Sequence, residues 1–121
     1  MTKTIAILAS GTGGHIYPAL SIAQEYIKLG YKILWIGTDN GLENKIIDNP
    51  DIVIEKISSK GIRGKSTIKK LISLIYIIKS TYQSLVIFKK YKPSMVFGFG
   101  GYVSVSSSLS AYLLSIPVIL H

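Results

Sequence analysis

The strongest constraint on the fold is a short apolar run, Ile5 to Ala9, that breaks at Ser10-Gly11-Thr12-Gly13-Gly14-His15 and resumes as apolar residues at helical spacing. An unalternated run of this length reads as a strand buried on both faces, the kind found in parallel sheets covered by helices. Glycines in the turn allow backbone conformations closed to other residues and let a ligand approach the N–H groups. The helix that follows directs its partial positive end at the same point. The turn therefore reads as a phosphate cradle. A second one, Gly98-Phe99-Gly100-Gly101-Tyr102-Val103-Ser104, again follows an apolar strand and precedes a helical segment. Two such loops in one small domain suggest a ligand with phosphate groups.

The alternation continues along the chain. Pro18 is expected near the first helical turn, where its missing N–H costs nothing, and Ala19, Leu20, Ile22, Ala23, Tyr26 and Ile27 form a stripe ending at Gly30. Strands are expected at 4–9, 32–36, 52–57, 94–99 and 117–120, with further helices at 42–48, from 67 to about 90, and from about 104 to 115. Five strands separated by helices imply a doubly wound parallel sheet of the Rossmann-like α/β class, with ligands at the carboxyl ends of the strands. A length of 121 residues suits one domain, 1–121, with a core that needs no staples.

Composition removes several classes of function. Without cysteine there are no disulfides, thiolate nucleophiles or cysteine metal sites, and the two histidines, His15 and His121, make no zinc ligand set. Met1-Thr2-Lys3 runs straight into a strand, so no signal peptide is expected. The run Leu71 to Ile78 ends at Lys79, and 109–120 contains serines and Pro117, so no membrane-spanning segment is expected either. A dinucleotide fingerprint would need glycine where Ile16 stands, although Asp39 lies near the end of the second strand. Gly64-Lys65-Ser66 hints at a nucleotide-hydrolysing loop, but its first glycine is Ser59.

Charge is distributed unevenly. All six acidic residues lie at or before Glu55, whereas ten of the basic residues lie from Lys56 onward. Such asymmetry points to a polyanionic partner, nucleic acid or an anionic membrane surface, unless it reflects lysine drift in an AT-rich genome. No nucleic-acid recognition motif accompanies it, and aromatic residues are not interleaved with the basic ones.

Five segments occur in order: Gly11 to Leu20, Trp35-Ile36-Gly37-Thr38, Gly61-Ile62-Arg63-Gly64-Lys65, Gly98 to Ser104, and the closing Ser115 to His121. Together they closely resemble the N-terminal domain of the MurG family of bacterial transferases, over essentially the whole chain. The resemblance implies the N-terminal half of a GT-B type glycosyltransferase, in which two Rossmann-like domains face a cleft. The lipid acceptor is then mainly on this domain and the nucleotide sugar mainly on the other. It further implies a hexosyltransferase that moves N-acetylglucosamine from UDP-N-acetylglucosamine to undecaprenyl-pyrophosphoryl-muramyl-pentapeptide in peptidoglycan synthesis. Its place would be the cytoplasmic face of the inner membrane, with no cofactor; ligand spacing implies no metal, with a divalent ion near the pyrophosphate as the alternative. Both glycine loops, including Gly100, Gly101, Tyr102 and Ser104, would lie near the acceptor pyrophosphate, while Thr12, Gly13 and Gly14 would border the donor sugar. His15 is the candidate general base for the acceptor hydroxyl, or else caps the turn or donates a hydrogen bond to ligand.

Two departures matter. Ser10 stands where a glycine often opens the first loop. The family also continues past the matching His121 with Glu-Gln-Asn, whose acid is another possible base, and then with a donor-binding domain. The chain thus looks like the front part of a longer protein, expected to bind donor poorly alone and not to turn over. A non-catalytic, membrane-associated acceptor subunit of a split glycosyltransferase is the alternative.

The basic half then acquires a location. On the helix from Thr67, the residues Ile68, Leu71, Ile72, Ile75, Ile78, Tyr82, Leu85 and Val86 are expected to face the core, with Leu74, Ile77 and Phe88 extending the apolar arc. Lys65, Lys69 and Lys70 cluster at one end, and Lys89, Lys90 and Lys92 at the other. Membrane contact through Lys69, Lys70, Leu74, Ile77, Phe88, Lys89 and Lys90 follows, worth about 1 kcal/mol per basic residue at an anionic surface. The competing reading is a buried helix with solvated ends.

Overall fold

The chain starts in the middle of its sheet. In the computed structural model, which describes residues 3–9, 13–38, 43–57, 67–100 and 102–120, the elements are β1 (Thr4–Leu8), α1 (Gly13–Lys28), β2 (Lys32–Gly37), α2 (Glu43–Ile46), β3 (Ile52–Lys56), α3 (Thr67–Tyr91), β4 (Met95–Gly98), α4 (Tyr102–Leu113) and β5 (Val118–Leu120). All strand pairs are parallel, in the order β3-β2-β1-β4-β5. The chain winds outward from β1 to β3, then crosses back to place β4 on the other side of β1. That reversal creates a switch point between β1 and β4.

Residue alternation along β1 and β2 feeds two cores. Ile5, Ile7, Ile33 and Trp35 pack under Ile16, Ala19 and Ala23 of α1. On the opposite face Ala6, Leu8, Leu34, Ile36 and Val96 meet Phe88 of α3 and Val103 and Ala111 of α4. Both faces of β1 are therefore sealed, which is why its run is apolar without a break.

Three expectations change. Pro18 lies inside α1, not in its first turn, because the helix already begins at Gly13. It has no N–H to offer the Gly14 carbonyl four residues back. The second change concerns α3. Its inward face is Ser80, Thr81, Ser84 and Phe88, whereas Ile68, Leu71, Ile75, Ile78, Tyr82 and Val86, expected in the core, are exposed. Phe88 is 1% exposed, so it packs in the core and does not reach a membrane. Hydroxyls make this arrangement possible. Ser84 Oγ lies 2.8 Å from Ser107 Oγ of α4, and Ser110 Oγ donates to the Thr81 carbonyl at 2.7 Å. Small side chains let the helices approach closely, and the hydrogen bonds offset the cost of burying them.

The third change concerns the apolar run that stops at Lys79, which is one stretch of the longer α3. The helix runs for 25 residues, about 37 Å at ~1.5 Å per residue, and contains an 18-residue window of mean hydropathy 1.5. By length and composition it could cross a membrane. In this fold its serine-lined face is packed on α4.

Candidate functional site

The strands that lead into the two glycine turns end side by side at the switch point. Leu8 of β1 is opposite Gly98 of β4, and the Phe99 N–H donates to the Leu8 carbonyl at 3.0 Å. The chain leaves both strands at the same level of the carboxyl edge, and α1 and α4 begin only a few residues later, at Gly13 and Tyr102. Each helix start carries N–H groups without intrahelical partners and the positive end of a dipole. An anion placed there meets two such ends.

Several residues hold this edge in shape. Gly100 has φ 91°, a left-handed conformation that glycine takes without penalty. Gly98 sits close beneath it, where a Cβ would come within 2.9 Å of Leu120 Cδ2 and 3.6 Å of Ser104 Oγ. Ser104 itself is buried, its hydroxyl 2.8 Å from the Gly100 carbonyl and 3.3 Å from that of Leu8. It thus fastens the β4 turn to the end of β1, so its proton faces backbone carbonyls. Ser104 is thus a positioning residue for this edge.

Trp35 does the same for the first turn. Fully buried on β2, its indole Nε1–H donates to the Ala9 carbonyl at 2.9 Å. The sequence signal was available, since a lone tryptophan in a buried strand must find an acceptor for its N–H, but the acceptor lies 26 residues away. Asn44 of α2 secures the next strand end by donating from Nδ2 to the Thr38 carbonyl at 2.8 Å.

Of the expected site residues, Gly13, Gly14 and His15 form the start of α1, and Gly100 and Tyr102 flank the start of α4. Thr12 and Gly101 lie outside the described residues, as do the side chains of His15 and Tyr102. Of the expected membrane set, Lys69, Lys70, Leu74, Lys89 and Lys90 are exposed on α3 and Ile77 is half-buried.

A five-stranded parallel sheet with this order and a phosphate-suited switch point defines a Rossmann-like α/β domain. The sequence profile of the glycosyltransferase family 28 N-terminal domain matches residues 5–121, and the chain belongs to that family. Curated relatives named UDP-N-acetylglucosamine--N-acetylmuramyl-(pentapeptide) pyrophosphoryl-undecaprenol N-acetylglucosamine transferase include one from Blochmanniella floridana, 46% identical over 98% of this chain. Another, from Haemophilus ducreyi, is 40% identical over 100% of it. The chain spans about a third of the length of these relatives, 33% and 34% respectively. The crystal structure of Acinetobacter baumannii MurG superposes with a TM-score of 0.85 at 39% identity, covering 98% of this chain and 34% of that one. A Rickettsia africae glycosyltransferase, at 18% identity and a TM-score of 0.71, shares the fold, with 98% of this chain and 29% of that one covered.

Proposed function

We propose that this chain is the acceptor-side domain of a transferase that moves N-acetylglucosamine from UDP-N-acetylglucosamine to undecaprenyl-pyrophosphoryl-muramyl-pentapeptide. The observation that carries the reading is the alignment of the ends of β1 and β4, with two helix starts following them within a few residues at one carboxyl edge. A pyrophosphate presents two linked anionic groups, and two adjacent helix N-termini suit that charge. Thr12, Gly13 and Gly14 then border the donor sugar, and Gly100, Gly101 and Tyr102 the acceptor pyrophosphate.

In this reading His15, in the first turn of α1, is the general base. Its neutral imidazole accepts the acceptor hydroxyl proton as that oxygen bonds to the anomeric carbon and UDP departs. A neighbouring pyrophosphate stabilises the resulting imidazolium. The donor-binding part of the reaction belongs to the rest of the relatives' length.

A lipid-linked acceptor lies at a membrane, and α3 is the face turned to it. Lys69, Lys70, Lys89 and Lys90 contribute about 4 kcal/mol together at an anionic surface, at roughly 1 kcal/mol each, with Leu74 and Ile77 adding apolar contact. That gives reversible, peripheral attachment to the cytoplasmic face.

Titration of the labelled chain with a short-prenyl pyrophosphoryl-muramyl-pentapeptide tests the acceptor site. Saturable amide shifts at Gly13, Gly14, Gly100 and Tyr102 are expected, and a spectrum unchanged there refutes it. Replacing the four lysines by glutamate should abolish pelleting with anionic vesicles; unchanged pelleting would sink the membrane reading.

A further inference from the structure

Three backbone carbonyls leave the carboxyl edge at the ends of β1 and β2, and each is met by a donor from elsewhere in the chain. Trp35 Nε1–H donates to the Ala9 carbonyl at 2.9 Å, the Ile57 N–H to that of Gly37 at 3.0 Å, and Asn44 Nδ2 to that of Thr38 at 2.8 Å. Leu8 pairs with Ile36, so Ala9 and Gly37, the next residues of their chains, leave the edge side by side. Since β1 lies between β2 and β4, a ligand set between the starts of α1 and α4 has the end of β2 as its back wall.

Asn44 differs from the other two donors. Trp35 and Ile57 are buried and held by the cores on either face of the sheet. Asn44 is half-buried on α2, a helix of only four residues. Ile47, just past that helix, packs against the core of Ile33 and Trp35, and so brings the Asn44 amide to the strand end. Thr38 is itself buried. Taking a donor from a carbonyl in such a segment is costly, and the backbone shifts to recover one.

We propose that Asn44 is a positioning residue of the acceptor site: by holding the end of β2 through Thr38, it keeps the adjacent end of β1, and with it the start of α1, level with the start of α4. The inference rests on the acceptor-domain reading given above and deepens it. Asn44 acts through Thr38 and the β1–β2 pairing on the amides of Gly13 and Gly14, not on substrate. An amide that served the fold alone would lower stability and leave the affinity of the site as it was.

Three variants separate these roles. Asn44→Ala removes the donor, Asn44→Asp keeps the shape but offers the Thr38 carbonyl only acceptors, and Asn44→His at pH 8 restores an N–H through Nδ1. In the ligand-free chain the Gly13 and Gly14 amide resonances should move in the first two variants and return in the third. Calorimetric titration with a short-prenyl pyrophosphoryl-muramyl-pentapeptide should show binding about three- to ten-fold weaker in Asn44→Ala and Asn44→Asp, the scale of one hydrogen bond, and recovered in Asn44→His. Lys45→Ala, at the exposed neighbour on α2, should alter neither readout. Lowered thermal stability with unchanged affinity in Asn44→Ala and Asn44→Asp would overturn the proposal. So would unmoved Gly13 and Gly14 amides, or a Lys45→Ala effect as large as that of Asn44→Ala. An unaltered chain that binds no analogue removes the acceptor reading; the amide resonances then still decide whether Asn44 positions the start of α1.

Discussion

Replacing Ser84 with leucine should destabilise this domain more than replacing Ile78 with serine, the reverse of what hydropathy implies. Ser84 is fully buried and its hydroxyl lies 2.8 Å from that of Ser107. A leucine there overfills a close helix contact, at about 1–3 kcal/mol. It also leaves the Ser107 hydroxyl without its partner, at about another 1–3 kcal/mol. The sum is a large part of the ~5–15 kcal/mol that holds a typical domain together. Ile78 is 62% exposed, so its loss forfeits little more than a third of the ~1.5–3 kcal/mol of full burial, about 1 kcal/mol or less. Isoleucine and serine have similar helix propensities, which adds nothing to either side. Urea unfolding, followed by the fluorescence of Trp35 and by circular dichroism, measures both variants; Ser84→Ala separates the lost hydrogen bond from the added bulk. If Ile78→Ser costs about 2 kcal/mol or more and Ser84→Leu less than that, α3 turns its apolar arc inward and the argument fails.

Four other outcomes are expected. Trp35→Phe should cost about 2–4 kcal/mol, from the cavity and the Ala9 carbonyl left without its indole donor, and should broaden amides at the start of α1; sharp, unshifted resonances there would contradict its positioning role. Gly100→Ala, at φ 91°, should destabilise by about 1 kcal/mol or more and weaken binding of the acceptor analogue, as calorimetry would register. Tyr91 donates to Glu55 Oε1 at 2.8 Å, and that hydrogen bond, then burial, then the Glu55 charge, raise the phenol above its usual 10.0. The native state thus holds this proton more tightly than the unfolded chain. The contribution is full below pH about 10 and lost as pH rises through the raised value, so Tyr91→Phe should abolish that alkaline loss in unfolding measured against pH. In a hybrid joining this chain to the remaining two-thirds of a relative, His15→Ala should lower turnover about 10²–10⁴-fold with KM for the acceptor little changed; full activity would remove His15 as the base.

Much of the architecture was local information. The unbroken run at β1, the glycine turns after β1 and β4, and the glycine stop after α1 each express a preference carried by a few neighbouring residues. They marked where strands give way to helices, and so the α/β class and the two loops of the candidate site. Strand neighbours are another matter. That β4 lies beside β1, bringing Gly98 level with Leu8, depends on a crossover of the whole chain. The same holds for Trp35 reaching Ala9 and for Ser104 reaching Leu8, 96 residues away.

The clearest division falls on α3. Its helical character and length were readable, because apolar and basic residues without glycine or proline run from Thr67 to Tyr91. Its orientation was not. A helix that is apolar around much of its circumference carries little directional signal, and the inward face went to Ser80, Thr81 and Ser84 because α4 presents small hydroxyl residues opposite them. Hydropathy ranks side chains by their dislike of water, whereas two helices in contact select by shape and hydrogen-bond partners. The sequence alone determined that α3 would be a helix rich in exposable apolar surface, and only the packing of α4 decided which part of that surface was left outside.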